Sequence, residues 1–155
     1  MILQTGQRTD IPAFYGTWLI NRVHQGFVDV RNPYNSLQIT RYPINHDVVD
    51  GIAFCTKNPL PFIPLLHEIN DYRQFWHMTI TPYGSDIEPY VPKADSVIDG
   101  FKQISTRLNP QSMVWRYDPI ILTHNYTIDF HFESFYNMAK ALEGYTDTVV
   151  VSFLD

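Results

Sequence analysis

Three basic residues of this sequence sit where apolar runs turn polar and break. Arg31 closes Phe27-Val28-Asp29-Val30-Arg31-Asn32-Pro33, Lys57 closes Gly51-Ile52-Ala53-Phe54-Cys55-Thr56-Lys57-Asn58-Pro59, and Arg116 lies in Met113-Val114-Trp115-Arg116-Tyr117-Asp118-Pro119. A looser copy is His77-Met78-Thr79-Ile80-Thr81-Pro82-Tyr83. Proline has no amide hydrogen to give a ladder, so each run reads as a strand with a fixed end. If the strands are parallel, their polar ends lie along one rim. A guanidinium there grips a carboxylate or phosphate at two points, and a lysine adds a compact charge. The chemistry expected of the rim is therefore the binding of a small anionic ligand.

The residues expected to contact that ligand are Arg8, Arg31, Asn32, Lys57, Asn58, Tyr83, Arg116, Tyr117, Asp118 and Asp155. Strand side chains alternate between faces, which pairs Asp29 with Arg31, Cys55 with Lys57, and Arg116 with Asp118. Arg8 follows the first strand, and Tyr83 and Tyr117 at strand ends have rings able to stack on a base or sugar. A structural account stands beside the functional one. Arg116 can pair with Asp118 or Asp155, the two tyrosines can be core residues with satisfied hydroxyls, and Asp10 can cap a helix.

Other reactive residues carry less. Cys55 is the single cysteine, which excludes an intramolecular disulfide or a cysteine-only metal site within the chain. It reads as a small buried residue rather than a nucleophile. The six histidines include no pair at the i, i+4 spacing of a helical zinc motif, so no metal ligands are assigned.

The elements that position the rim follow from periodicity. Ile2 and Leu3 open a first strand ending at Thr5-Gly6. Asp10 caps a helix with Pro12 in its first turn and Gly26 as its stop. Phe27 to Val30 reads as a second strand, Val48 to Phe54 as a third and Phe75 to Ile80 as a fourth, with a small excursion or hairpin at Leu37 to Tyr42. Ala94, Val97, Ile98, Phe101, Ile104 and Leu108 form one apolar helical stripe. Thr127 caps a last helix ended by Gly144, and Thr148 to Leu154 is a final strand. Strand and helix alternating along one chain predict an α/β fold with a parallel sheet. The loop from Pro82 to Pro92 is long for such a connection, and long loops on a rigid scaffold are where binding concentrates.

Composition limits the partners. A net charge of −5 gives no global footprint for nucleic acid. No apolar run reaches the roughly 18 residues that would span a membrane, and the N-terminus turns polar too soon for a signal peptide. The cytoplasm is the expected compartment.

The chain resembles a bacterial and archaeal family known only as domain of unknown function eighteen-forty-eight. The likeness covers essentially the whole chain. It rests on Arg8-Thr9-Asp10-Ile11-Pro12-Ala13, Val30-Arg31-Asn32-Pro33, Thr56-Lys57-Asn58-Pro59, Trp115-Arg116-Tyr117-Asp118-Pro119, Gly144-Tyr145-Thr146 and Ser152-Phe153-Leu154-Asp155. Cys55 departs from the tryptophan the family pattern would place before Thr56. The resemblance implies residues 1–155 as a single domain, the N-terminal part of an incomplete (β/α) barrel of about six strands. It also implies a C-terminal cysteine cluster like that of radical S-adenosylmethionine enzymes, outside these residues. No cofactor is expected in this chain itself, whereas S-adenosylmethionine and a 4Fe–4S cluster are expected of the full-length parent. The last strand is expected to be covered by the missing C-terminal half or by a homo-oligomer partner. Two other classes stand beside this reading: a metal-dependent hydrolase holding a divalent ion at Asp118, and a non-catalytic module that docks on a partner chain.

Overall fold

The structure is a computed structural model that describes residues 1–6 and 8–154. Five strands form one parallel sheet in the order β1-β4-β5-β6-β7. They are β1 (Ile2–Thr5), β4 (Gly51–Thr56), β5 (Gln74–Thr79), β6 (Met113–Ile120) and β7 (Thr148–Phe153). The remaining two strands, β2 (Phe27–Arg31) and β3 (Ile39–Pro43), pair antiparallel as a separate ribbon. The α/β class and the parallel sheet agree with the sequence expectation. The six-strand count and the barrel do not: the sheet is open, with β1 and β7 as edges.

The second strand is the reason. Phe27 to Val30 is as apolar as a central strand, but the chain reverses after it. Asn32 builds the reversal: its side chain accepts from the Tyr34 amide at 2.8 Å and donates to Gln38 Oε1 at 2.7 Å. The returning segment then pairs Arg41 with Asp29, whose carboxylate takes two guanidinium bonds at 2.7 Å each. A strand held this way has no need of a place in the sheet.

Helices cover one face of the sheet. They are α1 (Ile11–Phe14), α2 (Gly16–Gln25), α3 (Ala94–Arg107) and α4 (Ile128–Ala141), joined by a 3₁₀ segment at Ile63–Ile69. Two of the starts, those of α1 and α4, have a side-chain cap. Asp10 accepts from the Ala13 amide at 3.0 Å, and Thr127 accepts from the Phe130 amide at 3.2 Å. Gly26 ends α2 in the left-handed conformation, at φ 75°. The core lies between these helices and the alternate strand residues Ile52, Phe54, Trp76, Met78, Met113, Trp115 and Tyr117, all at most 2% exposed. Phe54 stacks on Trp76 with ring centroids 4.1 Å apart, and Trp115 stacks on Phe135 at 5.0 Å.

No described helix is long and apolar enough to cross a membrane.

Candidate functional site

Among the described residues the other face of the sheet carries no helix, and parallel register stacks its side chains in rows. Cys55 stands opposite His77, and His77 opposite Val114. One row nearer the strand ends, Thr79 stands opposite Arg116 and Arg116 opposite Val150. Extending the β4–β5 register by one step sets Lys57 in that same row. Two strand spacings separate its backbone from that of Arg116, roughly 10 Å. Gln4, Ala53 and Phe75 form the row below the cysteine. The open face therefore runs from largely apolar at the strand starts to charged at the strand ends.

Two ion pairs of the same design stand at the charged end. Glu88 receives Lys57 on one carboxylate oxygen and the Thr81 hydroxyl on the other, the latter at 2.7 Å. Asp118 receives Arg116 on one oxygen and the Ser152 hydroxyl on the other. In both pairs the acid is the sheltered member: the side chains of Glu88 and Asp118 are 13% and 15% exposed, against 38% for Lys57 and 38% for Arg116. The carboxylates are braced from below and the cations face outward, so each cation keeps donors for a further acceptor.

Asp10 locks this end of β4. Besides capping α1, its second oxygen accepts from the Thr56 hydroxyl and the Lys57 amide, both at 2.9 Å. Gly6 lets β1 pass close by. Its φ is +111°, and a Cβ there would lie 2.9 Å from Cys55 Cβ, nearer than a side chain tolerates. His77 sits between the charged and apolar rows. Burial, and then the nearby Arg116 charge, push its pKa below the ordinary imidazole value.

The structure sorts the sequence-predicted contacts. Lys57, Arg116 and Asp118 share the rim. Arg31 does not, because β2 left the sheet. It lies instead beside Arg8, whose guanidinium donates to the Arg31 carbonyl at 3.5 Å. Asn32 and Asn58 form turns: the Asn58 side chain accepts from the Leu60 amide at 3.2 Å. Tyr83 is a staple, donating to the Pro119 carbonyl at 2.6 Å and accepting from the Ile121 amide at 2.8 Å. Burial raises its pKa.

Tyr117 is a correction. The alternation that puts Arg116 and Asp118 on the open face turns Tyr117 into the core, where it is 1% exposed. Its hydroxyl meets His131 Nδ1 at 2.8 Å, and His131 Nε2 meets the Ile121 carbonyl at 3.1 Å. A carbonyl only accepts, so Nε2 carries the proton and the tyrosine donates to Nδ1. Burial raises the Tyr117 pKa strongly and keeps the phenol protonated. Asp155 lies outside the described residues.

Glu88, Thr81 and Ser152 are participants that the sequence reasoning missed. Glu88 lies in the long loop already marked for binding, and Ser152 shares the parity of Val150, which faces Arg116.

With this geometry in place, a family profile described as Domain of unknown function (DUF1848) matches residues 2–155. The chain belongs to that family. The match extends over nearly every residue of the fold, so β1, the hairpin and the open face are all family territory. No curated protein and no solved structure matches the chain.

Proposed function

We propose that this domain binds a small molecule at the strand-end rim of its sheet and grips an anionic group of that molecule with Lys57 and Arg116. The observation that carries the reading is the doubled ion pair, in which a braced carboxylate holds each cation toward an uncovered face. In parallel α/β sheets, ligands bind beyond the carboxyl ends of the strands. Each pair is neutral as a unit, which suits a ligand bearing both charges, such as an α-amino-acid group. Its carboxylate would meet Arg116 or Lys57, and its ammonium would meet Glu88 or Asp118.

The finer form of this reading takes the chain as the N-terminal portion of a radical S-adenosylmethionine-like enzyme. Its own residues do not fit the 4Fe–4S cluster. The chain has one cysteine, and the described residues contain no group of three His, Cys, Asp or Glu able to hold a metal. What the rim offers S-adenosylmethionine is a seat for its amino-acid end. The divalent-ion hydrolase draws no support here, because both oxygens of Asp118 are already engaged.

Calorimetric titration with S-adenosylmethionine, and with inorganic phosphate in parallel, tests both levels. Binding that weakens at least about tenfold in Arg116→Gln supports the rim. Binding of phosphate alone retains the anion site and removes the cofactor. Binding of neither at millimolar concentration ends the proposal.

A second reading has its own observation. Parallel sheets are normally covered on both faces, yet all six residues of β7 are exposed, Val149, Val151 and Phe153 among them. A groove of about 550 Å³ between α4 and β7 is lined by Trp115, Phe135 and Val149. A non-catalytic module that docks this edge on another chain segment accounts for that surface. Light scattering across a concentration series would find a dimer if the segment came from a second copy.

A further inference from the structure

A second cleft lies on the far side of β1 from the rim, between that edge strand and the hairpin strand β2. Its volume is about 550 Å³, within the usual range of small-molecule sites. Arg8, Arg22 and Arg31 line it, and among the described residues Asp29 is the only acidic one that does. That acid is committed elsewhere, to the bidentate pair with Arg41. Among the described residues none of the three arginines pairs with a carboxylate. Arg22 Nε is buried with no hydrogen-bond partner, a costly state for a charged group. Arg22 also donates to Asn21 Oδ1 and its charge helps to lower the Asp29 pKa, but among the described residues a chain of net charge −5 has gathered three guanidiniums without an ion-pair partner around one hollow.

The walls are aromatic and aliphatic. Tyr15 and Trp18 are 51% and 46% exposed and line the cleft with Leu3 and Val28. Tyr15, the N-cap of α2, recurs at helical spacing with Trp18 and Arg22, so α2 and its cap present them as one stripe. The edge of β1 adds backbone groups that no neighbouring strand uses.

The geometry points to a separate binding site in this cleft for an organic oxyanion with a flat apolar body. The carboxylate or phosphate head sits among Arg8, Arg22 and Arg31, and the body lies against Tyr15 and Trp18. Guanidiniums supply the forked donors such a head requires. This site does not depend on the rim, since Lys57 and Arg116 do not line it.

Trp18 makes the test specific, because Trp76 and Trp115 are 0% and 2% exposed. Phenyl phosphate, benzoate and neutral phenol are titrated while acrylamide quenching of tryptophan emission is followed. Both anions should protect Trp18, and the tighter of the two identifies the preferred head group. Arg22→Gln and Arg31→Gln should each weaken that protection at least about tenfold. Arg73→Gln, an exposed charge that does not line the cleft, should leave it within about twofold. Arg31 is exposed and its replacement does not threaten folding, so it keeps the test valid should Arg22→Gln unfold. The proposal is overturned by no protection at millimolar anion, by phenol protecting as well as phenyl phosphate, or by Arg73→Gln matching the cleft variants.

Discussion

The two faces of the sheet are built from the same strands and do opposite work. On the helix side, Phe54, Trp76, Met78 and Tyr117 are at most 1% exposed and pack on one another. One residue away in sequence, Cys55, His77, Arg116 and Asp118 are half-buried and open to whatever lies above them. Adjacent positions on a strand thus belong to different energetic regimes: one set supplies cohesion, and the other is free to carry polar groups. That separation explains how a sheet can keep charged side chains at its centre without losing its fold.

The largest test of this contrast is Trp76→Ala. Removing a fully buried ring that stacks on Phe54 should cost about 3–5 kcal/mol, read as a fall in the urea midpoint. Gly6→Ala comes next, at about 1–3 kcal/mol, because the new Cβ meets both a left-handed backbone and Cys55. It would show that the open face is intolerant where β1 passes closest. Tyr117→Phe keeps the ring and strands His131 Nδ1, for about 1–2 kcal/mol. Arg116→Gln should change stability by less than about 1 kcal/mol while removing ligand affinity, since the guanidinium is 38% exposed. If it instead destabilises as much as Trp76→Ala, the two faces are not separate after all.

The smallest effect is a pH dependence. The folded pKa of His77 lies below the unfolded value of about 6.5. The unfolded chain therefore takes the proton first. The contribution of neutral His77 is complete above about pH 6.5 and is lost as pH falls toward the folded pKa. The urea midpoint of His77→Gln should decline less steeply than that of the parent below about pH 6.5, and an NMR titration of His77 should give a pKa under the free-imidazole value.

Much of this architecture could be read from residue order. The stripe from Ala94 to Leu108 became α3 at Ala94–Arg107, the Thr127 cap became the start of α4, and Gly26 closed α2. Lys57, Arg116 and Asp118 came together because parallel pairing follows from strand-helix alternation. What could not be read was the fate of Phe27 to Arg31. An apolar run does not reveal its partner, and only the Asn32 turn and the Asp29–Arg41 pair take it out of the sheet. Tyr117 was legible and misjudged, since a period of two assigns it the side opposite Arg116. Glu88 and Arg22 were invisible for another reason. Loop and helix residues meet strands through tertiary geometry that no local pattern encodes.

The braced carboxylates have one more consequence. Glu88 belongs to the segment between Thr79 and Ala94, which has no regular secondary structure, and that segment is moored by Lys57 through Glu88 on one side and by Tyr83 and Asp86 to β6 and the chain after it on the other. A guest that competed for the lysine would slacken one of those two lines, so occupancy of the rim and looseness of the overlying segment would be felt together.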